Sequence, residues 1–221
     1  TELVDLGGRT MLPGFIDPHG HVTMGGLQAA SANMLPPPDG TNSDIAQIQQ
    51  NLRDWAAANA DLVKQVNLIL GFGYDQSQLK ELRHPTRQDL DAVSTEVPVV
   101  AVHQSGHFGA LNSKALELVG YTAETPDPAG GVIRREEGSR VPDGVLEETA
   151  WMATIPKLLG NLGIEGMKAL VVAGSELWAS YGYTTTQDGR SMPGTVKVMQ
   201  AVANEGKLKV DLVSYPDVLI D

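Results

Sequence analysis

Two imidazoles sit two residues apart, directly after an apolar run, in Asp17-Pro18-His19-Gly20-His21. In an extended strand, residues i and i+2 point to the same face. At a strand end, His19 and His21 would therefore converge on one point. Imidazole nitrogen suits zinc and other first-row divalent metals. The competing explanation is a surface loop that happens to carry two histidines. The chain has five histidines in all, and two of them falling directly behind the apolar residues 12–16 favours metal binding. Gly20 keeps the backbone between them free of a side chain on the opposite face. Asp17 shares their strand parity and is the candidate to orient one ring from behind.

The remaining chemistry-bearing residues are more dispersed. His107 lies just past the apolar run 97–102, where α/β barrels place catalytic groups. It is a candidate to hold a substrate carbonyl or an oxyanion; hydrogen bonding within its own loop explains it equally well. His103 is a candidate substrate-binding residue or simply the end of that strand. Asp188 follows a strand and is a candidate catalytic carboxylate, although Asp-Gly is first of all a turn. Glu147 and Glu148 are explained as helix-start carboxylates favoured by the dipole. His84, before Pro85, reads as a loop residue, and Lys64 and Lys80 as parts of solvated faces.

Elements that position these residues follow from hydrophobic periodicity. Residues 3–12, with the Gly7-Gly8 turn, read as a short hairpin-like piece leading into a buried strand over 13–17. After the loop marked by Pro36-Pro37-Pro38, Ser43 or Asp44 caps a helix. Its apolar positions Ile45, Ile48, Leu52, Trp55 and Ala56 keep helical spacing. Buried strands are expected over 66–72 and 97–102, a short helix over 88–93, and an inserted loop or hairpin over about 121–142. A long helix ends at Gly182, a strand follows over 183–187, a helix over 196–203 and a strand over 208–213. Alternating strand and helix from about residue 13 onward is the signature of a parallel α/β sheet. Five such strands are countable, where a closed barrel needs eight and about 250 residues. The chain opens mid-pattern at Thr1 without Met and stops at Asp221 just after a strand, so it is expected to be part of something longer.

Composition narrows the classes further. The 221 residues are 42% hydrophobic and 19% charged, enough apolar content for a real core. Sixteen basic against 27 acidic residues give a net charge of −11, which disfavours nucleic acid as a partner. No apolar run approaches the roughly 20 residues of a membrane crossing. Cysteine is absent, which excludes disulfides, a cysteine nucleophile and thiolate zinc ligands. No signal peptide is visible; the cytoplasm is the first expectation and a removed leader stays compatible. The expected partner is a small-molecule substrate, and a homo-oligomer is compatible with the open strand edges.

The run Arg9-Thr10-Met11-Leu12-Pro13-Gly14-Phe15-Ile16-Asp17-Pro18-His19-Gly20-His21 resembles the opening strand of the amidohydrolase superfamily. Ser105-Gly106-His107-Phe108-Gly109-Ala110-Leu111-Asn112-Ser113-Lys114-Ala115-Leu116 resembles a segment of amidohydrolase family 3, the branch that includes the N-substituted formamide deformylases. Gly144-Val145-Leu146-Glu147-Glu148-Thr149-Ala150 and Gly182-Tyr183-Thr184-Thr185-Thr186-Gln187-Asp188 are similar to that branch too. The four segments occur in order and span the chain.

This resemblance implies a (β/α)8 barrel with a small β-domain built from both termini, and metal and substrate at the C-terminal ends of the strands. Residues 1–12 would be a remnant of the β-domain, and 13–221 the N-terminal part of the barrel. His19 and His21 match the first metal-ligand pair. Glu148 matches an acidic position that could replace the bridging carboxylated lysine found elsewhere in the superfamily. Complete members supply two later histidines and a late-strand aspartate; His84, His103 and His107 lie too early to be these. The implied reaction is hydrolysis of an amide-like C–N bond by a metal-activated water, with one or two divalent ions, zinc first among them. The alternatives are a truncated non-catalytic fragment and a deaminase of the same superfamily.

Overall fold

The structure, a computed structural model, describes residues 3–217. In chain order its first elements are β1 (Phe15–Ile16), α1 (Val22–Ala29), β2 (Ala32–Asn33), α2 (Ile45–Ala58), α3 (Ala60–Val66), β3 (Ile69–Tyr74) and α4 (Arg87–Asp91). Then come β4 (Val99–His103), β5 (Phe108–Leu111), α5 (Ser113–Val119), β6 (Gly131–Arg135), β7 (Pro142–Glu148), α6 (Thr149–Met152) and α7 (Ile155–Leu158). The last are α8 (Gly163–Ser180), β8 (Tyr183–Ser191), α9 (Pro193–Asn204) and β9 (Asp211–Pro216). The chain forms two compact units: residues up to Leu27 together with those from Ile164 onward, and Gln28–Gly163. Among the described residues no helix is long and apolar enough to cross a membrane.

In the first unit, β1, β8 and β9 form a parallel sheet in that order, with Phe15 opposite Tyr183 and Ile16 opposite Thr185. The expected buried strand over 13–17 is corrected here: only two residues are extended, and Phe15 and Ile16 are 49% and 70% exposed. Their strand is at a sheet edge, so apolar content alone does not bury it. Residues 3–12 contain the Gly7-Gly8 turn, with Arg9 N–H on the Leu6 carbonyl, but no strand. Helices α1 and α8 touch backbone to backbone. A Cβ on Gly26 would lie 1.8 Å from the Leu170 carbonyl oxygen, and one on Gly174 2.1 Å from that of Val22. Any side chain at either place would push the helices apart, and with them the turn that carries His19 and His21.

The second unit is a six-stranded sheet in the order β2-β3-β4-β5-β7-β6. Strands β2, β3 and β4 are parallel, and β4–β5, β5–β7 and β7–β6 are antiparallel. An all-parallel sheet is therefore corrected to a mixed one. The expected 121–142 insertion corresponds to the β6–β7 hairpin region. All residues of β3 and β4 are buried, as strands covered on both faces must be. Helix α2 begins as the sequence requires: Asp44 caps it by accepting the Gln47 N–H at 2.8 Å, and Ile45, Ile48 and Leu52 are buried in the core cluster. Strand β3 starts later than the expected residue 66, because Val66 closes α3 and Asn67 turns left-handed at φ 53°.

One buried side chain ties this sheet to its helices. Asn112, with no exposed surface, accepts from Val99 N–H (2.9 Å) and Ala115 N–H (2.8 Å). It donates to the carbonyls of Ser94 (2.7 Å) and Val97 (3.0 Å). It caps α5 and holds the entry to β4 at once. Asn112→Ala strands two amides and two carbonyls and is expected to cost about 3 kcal/mol or more by urea unfolding. A loss under about 1 kcal/mol would show that these groups find other partners.

Candidate functional site

Strand β1 stops at Ile16, so His19 sits in a bend and the expected strand parity is not what brings the rings together. Their centroids are nevertheless 5.5 Å apart, with the planes perpendicular. The turn is organised by Asp17. Its carboxylate accepts the His19 backbone N–H (3.1 Å), the Trp178 indole N–H (2.5 Å) and the Thr186 hydroxyl (3.3 Å). Asp17 thus shapes the backbone beneath the histidines; it does not steer a ring through a direct bond. A Cβ on Gly20 would meet its Oδ2 at 2.2 Å, which explains the glycine between the two imidazoles.

His21 is oriented from the other side. Its Nδ1 lies 2.9 Å from the Gly189 carbonyl oxygen. A carbonyl can only accept, so Nδ1 carries the proton and Nε2 keeps its lone pair. Gly189 is itself fixed by its N–H on the Gly20 carbonyl, and a Cβ there would come within 3.1 Å of the His21 ring. Asp188 is corrected from turn to strand interior: it belongs to β8, opposite Ser214, and is 4% exposed. Its carboxylate accepts the Thr23 N–H (2.9 Å) and the Ser191 hydroxyl (2.7 Å). Both oxygens are engaged, and Asp188 anchors the start of α1 to β8.

In the second unit the structure brings together two candidates that lie far apart in sequence. His107 Nδ1 is 2.8 Å from Glu148 Oε2, with both side chains about half exposed. The carboxylate accepts, so Nδ1 donates and Nε2 is free. Hydrogen bonding of the His107 ring within its own loop is thereby replaced by a partner from β7. Glu148 stands at φ 49°, ψ −121°, just before α6, and makes no capping bond. Such a backbone is strained for a residue with a Cβ. Glu147, the neighbour, is ion-paired to Arg134 instead.

Next along the chain is a cluster of four rings, the buried Tyr74, His84 and His103 and the half-buried Phe108, with neighbouring centroids 5.2–5.9 Å apart. His103 ends β4 and is 7% exposed. Its Nδ1 meets the Ser105 hydroxyl at 2.8 Å, and its Nε2 is 3.8 Å from Asp75 Oδ1. Burial lowers the His103 pKa, with Asp75 opposing. His84 is a loop residue, as expected, but buried, with Nδ1 2.8 Å from the Tyr74 hydroxyl. A cleft of about 490 Å³ includes Asn33, Asp39, Asn51 and Trp55 among its lining residues, and none of the candidates above.

Burial, aided by the positive charge of Arg134, holds His84 down to about 4 from its ordinary 6.5. The unfolded chain therefore takes up a proton on His84 at a pH where the native protein does not. This contribution to stability is complete above about pH 6.5 and is lost as pH falls towards 4. Between pH 6.5 and 5 the loss is about 2 kcal/mol. Urea titrations at pH 7.5 and 5.0 should show that His84→Gln has a shallower pH dependence by about that amount. Equal slopes for the two proteins would contradict it.

Sequence reasoning missed the supports of both sites: Trp178 and Thr186 for Asp17, the Gly189 carbonyl for His21, and Ser105 for His103. Each is an ordinary residue type in its own segment. Among the described residues no group of three or more His, Cys, Asp or Glu side chains stands together as a metal site. The two imidazoles with a fixed Nε2 on His21 fit a metal as a partial ligand set.

The chain is similar to several known proteins. The chain is 34% identical over 150 residues to an N-substituted formamide deformylase of Arthrobacter pascens, covering 67% of this chain and 26% of that one. It is 32% identical over 215 residues to the exoenzymes regulatory protein AepA of Pectobacterium carotovorum, covering 95% of this chain and 44% of that one. The chain thus spans less than half the length of these curated relatives. The crystal structure of a metal-dependent hydrolase from Pyrococcus horikoshii superposes with a TM-score of 0.65 at 22% identity, covering 92% of this chain and 36% of that one. The amidohydrolase family model matches residues 2–220. With the His-x-His turn and its supports in place, the chain belongs to the amidohydrolase family, in the branch known as amidohydrolase family 3.

Proposed function

We propose that this chain is part of a metal-dependent hydrolase that cleaves an amide-like carbon–nitrogen bond, with His19 and His21 holding a divalent cation. The observation that carries this is the His21–Gly189 bond. It commits Nδ1 as a donor and leaves the Nε2 lone pair for a cation, the arrangement that a backbone carbonyl behind the ring imposes on a metal-binding histidine. Zinc is the first choice for an imidazole pair, and one or two ions suit the family. The C–N bond class is supported by the deformylase among the relatives. The parallel runs β2-β3-β4 and β1-β8-β9, with the likeness to a hydrolase structure, support membership of a (β/α)8 barrel.

When bound, a divalent cation polarises a carbonyl oxygen and lowers the pKa of water towards neutrality. The chain's own residues do the rest. Asp17 and Asp188 hold the histidine turn against β8 and the start of α1. His107, with Nδ1–H on Glu148, presents its Nε2 lone pair as a hydrogen-bond acceptor for a substrate N–H or a water. This gives Glu148 the role of partner to His107, beside the metal-ligand role that the resemblance implies for it.

Two comparisons test the proposal. In the full-length protein, His19→Ala and His21→Ala should each retain less than about a tenth of the wild-type metal and lose turnover of formamides, acylated amines or cyclic amides. Wild-type metal content in the double variant would overturn the assignment. The 221-residue chain alone offers two secure ligands where catalytic zinc sites use three. With added zinc it should show no turnover, and a rate comparable to the full-length protein would contradict that ligand count.

A further inference from the structure

The loop between β4 and β5 carries His107, and it is folded around one side chain. His103 Nδ1 receives two bonds from Ser105, one from the backbone N–H (3.1 Å) and one at the hydroxyl (2.8 Å). A backbone amide can only donate, so Nδ1 is the unprotonated nitrogen and Nε2 carries the hydrogen, towards Asp75. The same Ser105 hydroxyl oxygen accepts the His107 backbone N–H at 3.2 Å. The turn closes with Gly106 N–H on the His103 carbonyl (2.9 Å). Its outer side is held by the Trp151 indole on the Gly106 carbonyl (2.9 Å) and by Glu148 N–H on that of His107 (2.8 Å).

We infer that His103 is a positioning residue: its unprotonated Nδ1, acting through Ser105, sets the turn that presents the His107 ring to Glu148. This inference rests on the proposal that His107 serves the reaction, and adds which buried group places it. His103 is held firmly enough to do this, because it is packed between the rings of Tyr74, His84 and Phe108. Asp75, on its far side, is saturated by the Ser77 N–H and hydroxyl and by the side chains of Gln78 and Gln104. The competing anchor is Gln104, whose side chain reaches Asp75 at 2.6 Å and whose N–H reaches the Tyr74 carbonyl at 2.9 Å. If Gln104 alone fixed the loop, His103 would merely fill space.

Chemistry separates these two cases. An Asn side chain can place its carbonyl oxygen where Nδ1 stands, whereas Gln places its polar atoms where Nε2 stands; both lose the ring. His107 supplies the readout, because donation to Glu148 requires the Nδ1–H tautomer, while free neutral imidazole favours Nε2–H. Long-range proton–nitrogen spectra of the histidine-labelled full-length protein, at about pH 8.5 where imidazoles are neutral, report that tautomer directly.

The wild type and His103→Asn are expected to show His107 as Nδ1–H, with a slowly exchanging Ser105 amide. His103→Gln is expected to shift His107 towards Nε2–H and to speed Ser105 amide exchange roughly tenfold or more. Ser105→Ala leaves the ring cluster intact, and should likewise shift the tautomer and expose the His107 amide. It decides the matter if His103→Gln does not fold. An unchanged His107 tautomer in His103→Gln or in Ser105→Ala, or equal loss in the Asn and Gln variants, would overturn the inference. The reading of His107 as a catalytic group is tested separately. Wild-type turnover by full-length His107→Gln would remove that role and leave the tautomer result standing.

Discussion

The bond from His21 Nδ1 to the Gly189 carbonyl is the constraint on which the first unit turns. It joins residues 168 apart in sequence, and everything around it serves to make that approach possible. Strand β1 must lie beside β8 in register, α1 must start where Asp188 can accept the Thr23 N–H, and the absence of a Cβ at residue 189 leaves room for the ring. The close α1–α8 crossing at Gly26 and Gly174 sets how near the turn can come. Asp17 adds the second half of the constraint by drawing Trp178 and Thr186 beneath the same turn. A carboxylate with three donors is a stiff support, since each charge-assisted bond is stronger than a neutral one. The result is an imidazole with a defined tautomer, its proton on Nδ1 and its lone pair on Nε2.

The second unit solves a different problem. Its candidate pair, His107 and Glu148, is exposed and would be loosely held by itself. Rigidity comes from Asn112, Asp75 and the four-ring cluster, whose side chains are tied by hydrogen bonds apart from His103 Nε2, which is buried without a partner. Low dielectric makes such networks strong when complete and costly when broken. The strained backbone of Glu148 fits this picture: strain persists only where the surroundings fix it. Here those surroundings are the β5–β7 pairing and the His107 contact.

Much of this was legible in the sequence where a feature is local. The α2 cap and stripe, the long helix ending at Gly182, and the His-x-His pair behind an apolar run all follow from periodicity and residue type. Where the outcome depends on distant partners, the sequence was silent or misleading. Apolar residues at Phe15 and Ile16 look buried, but their strand is at a sheet edge. Asp188-Gly189 has the composition of a turn, yet β9 pairs with it and makes it strand. Val66 looks like the start of a strand until Asn67 turns left-handed behind it. His107 and Glu148 were both singled out, but nothing in either segment says that they meet. Trp178 looked like one more apolar position on a helix, and only the fold shows its indole N–H reaching Asp17.

The metal role proposed for His21 requires that Gly189 hold the proton on Nδ1 and leave Nε2 to the cation. Long-range proton–nitrogen spectra of the histidine-labelled full-length protein, with and without added zinc, test it directly. Nδ1 of His21 is expected to keep its proton throughout, while Nε2 alone moves on metal addition. Loss of the Nδ1 proton, or a His21 ring indifferent to metal, would contradict it.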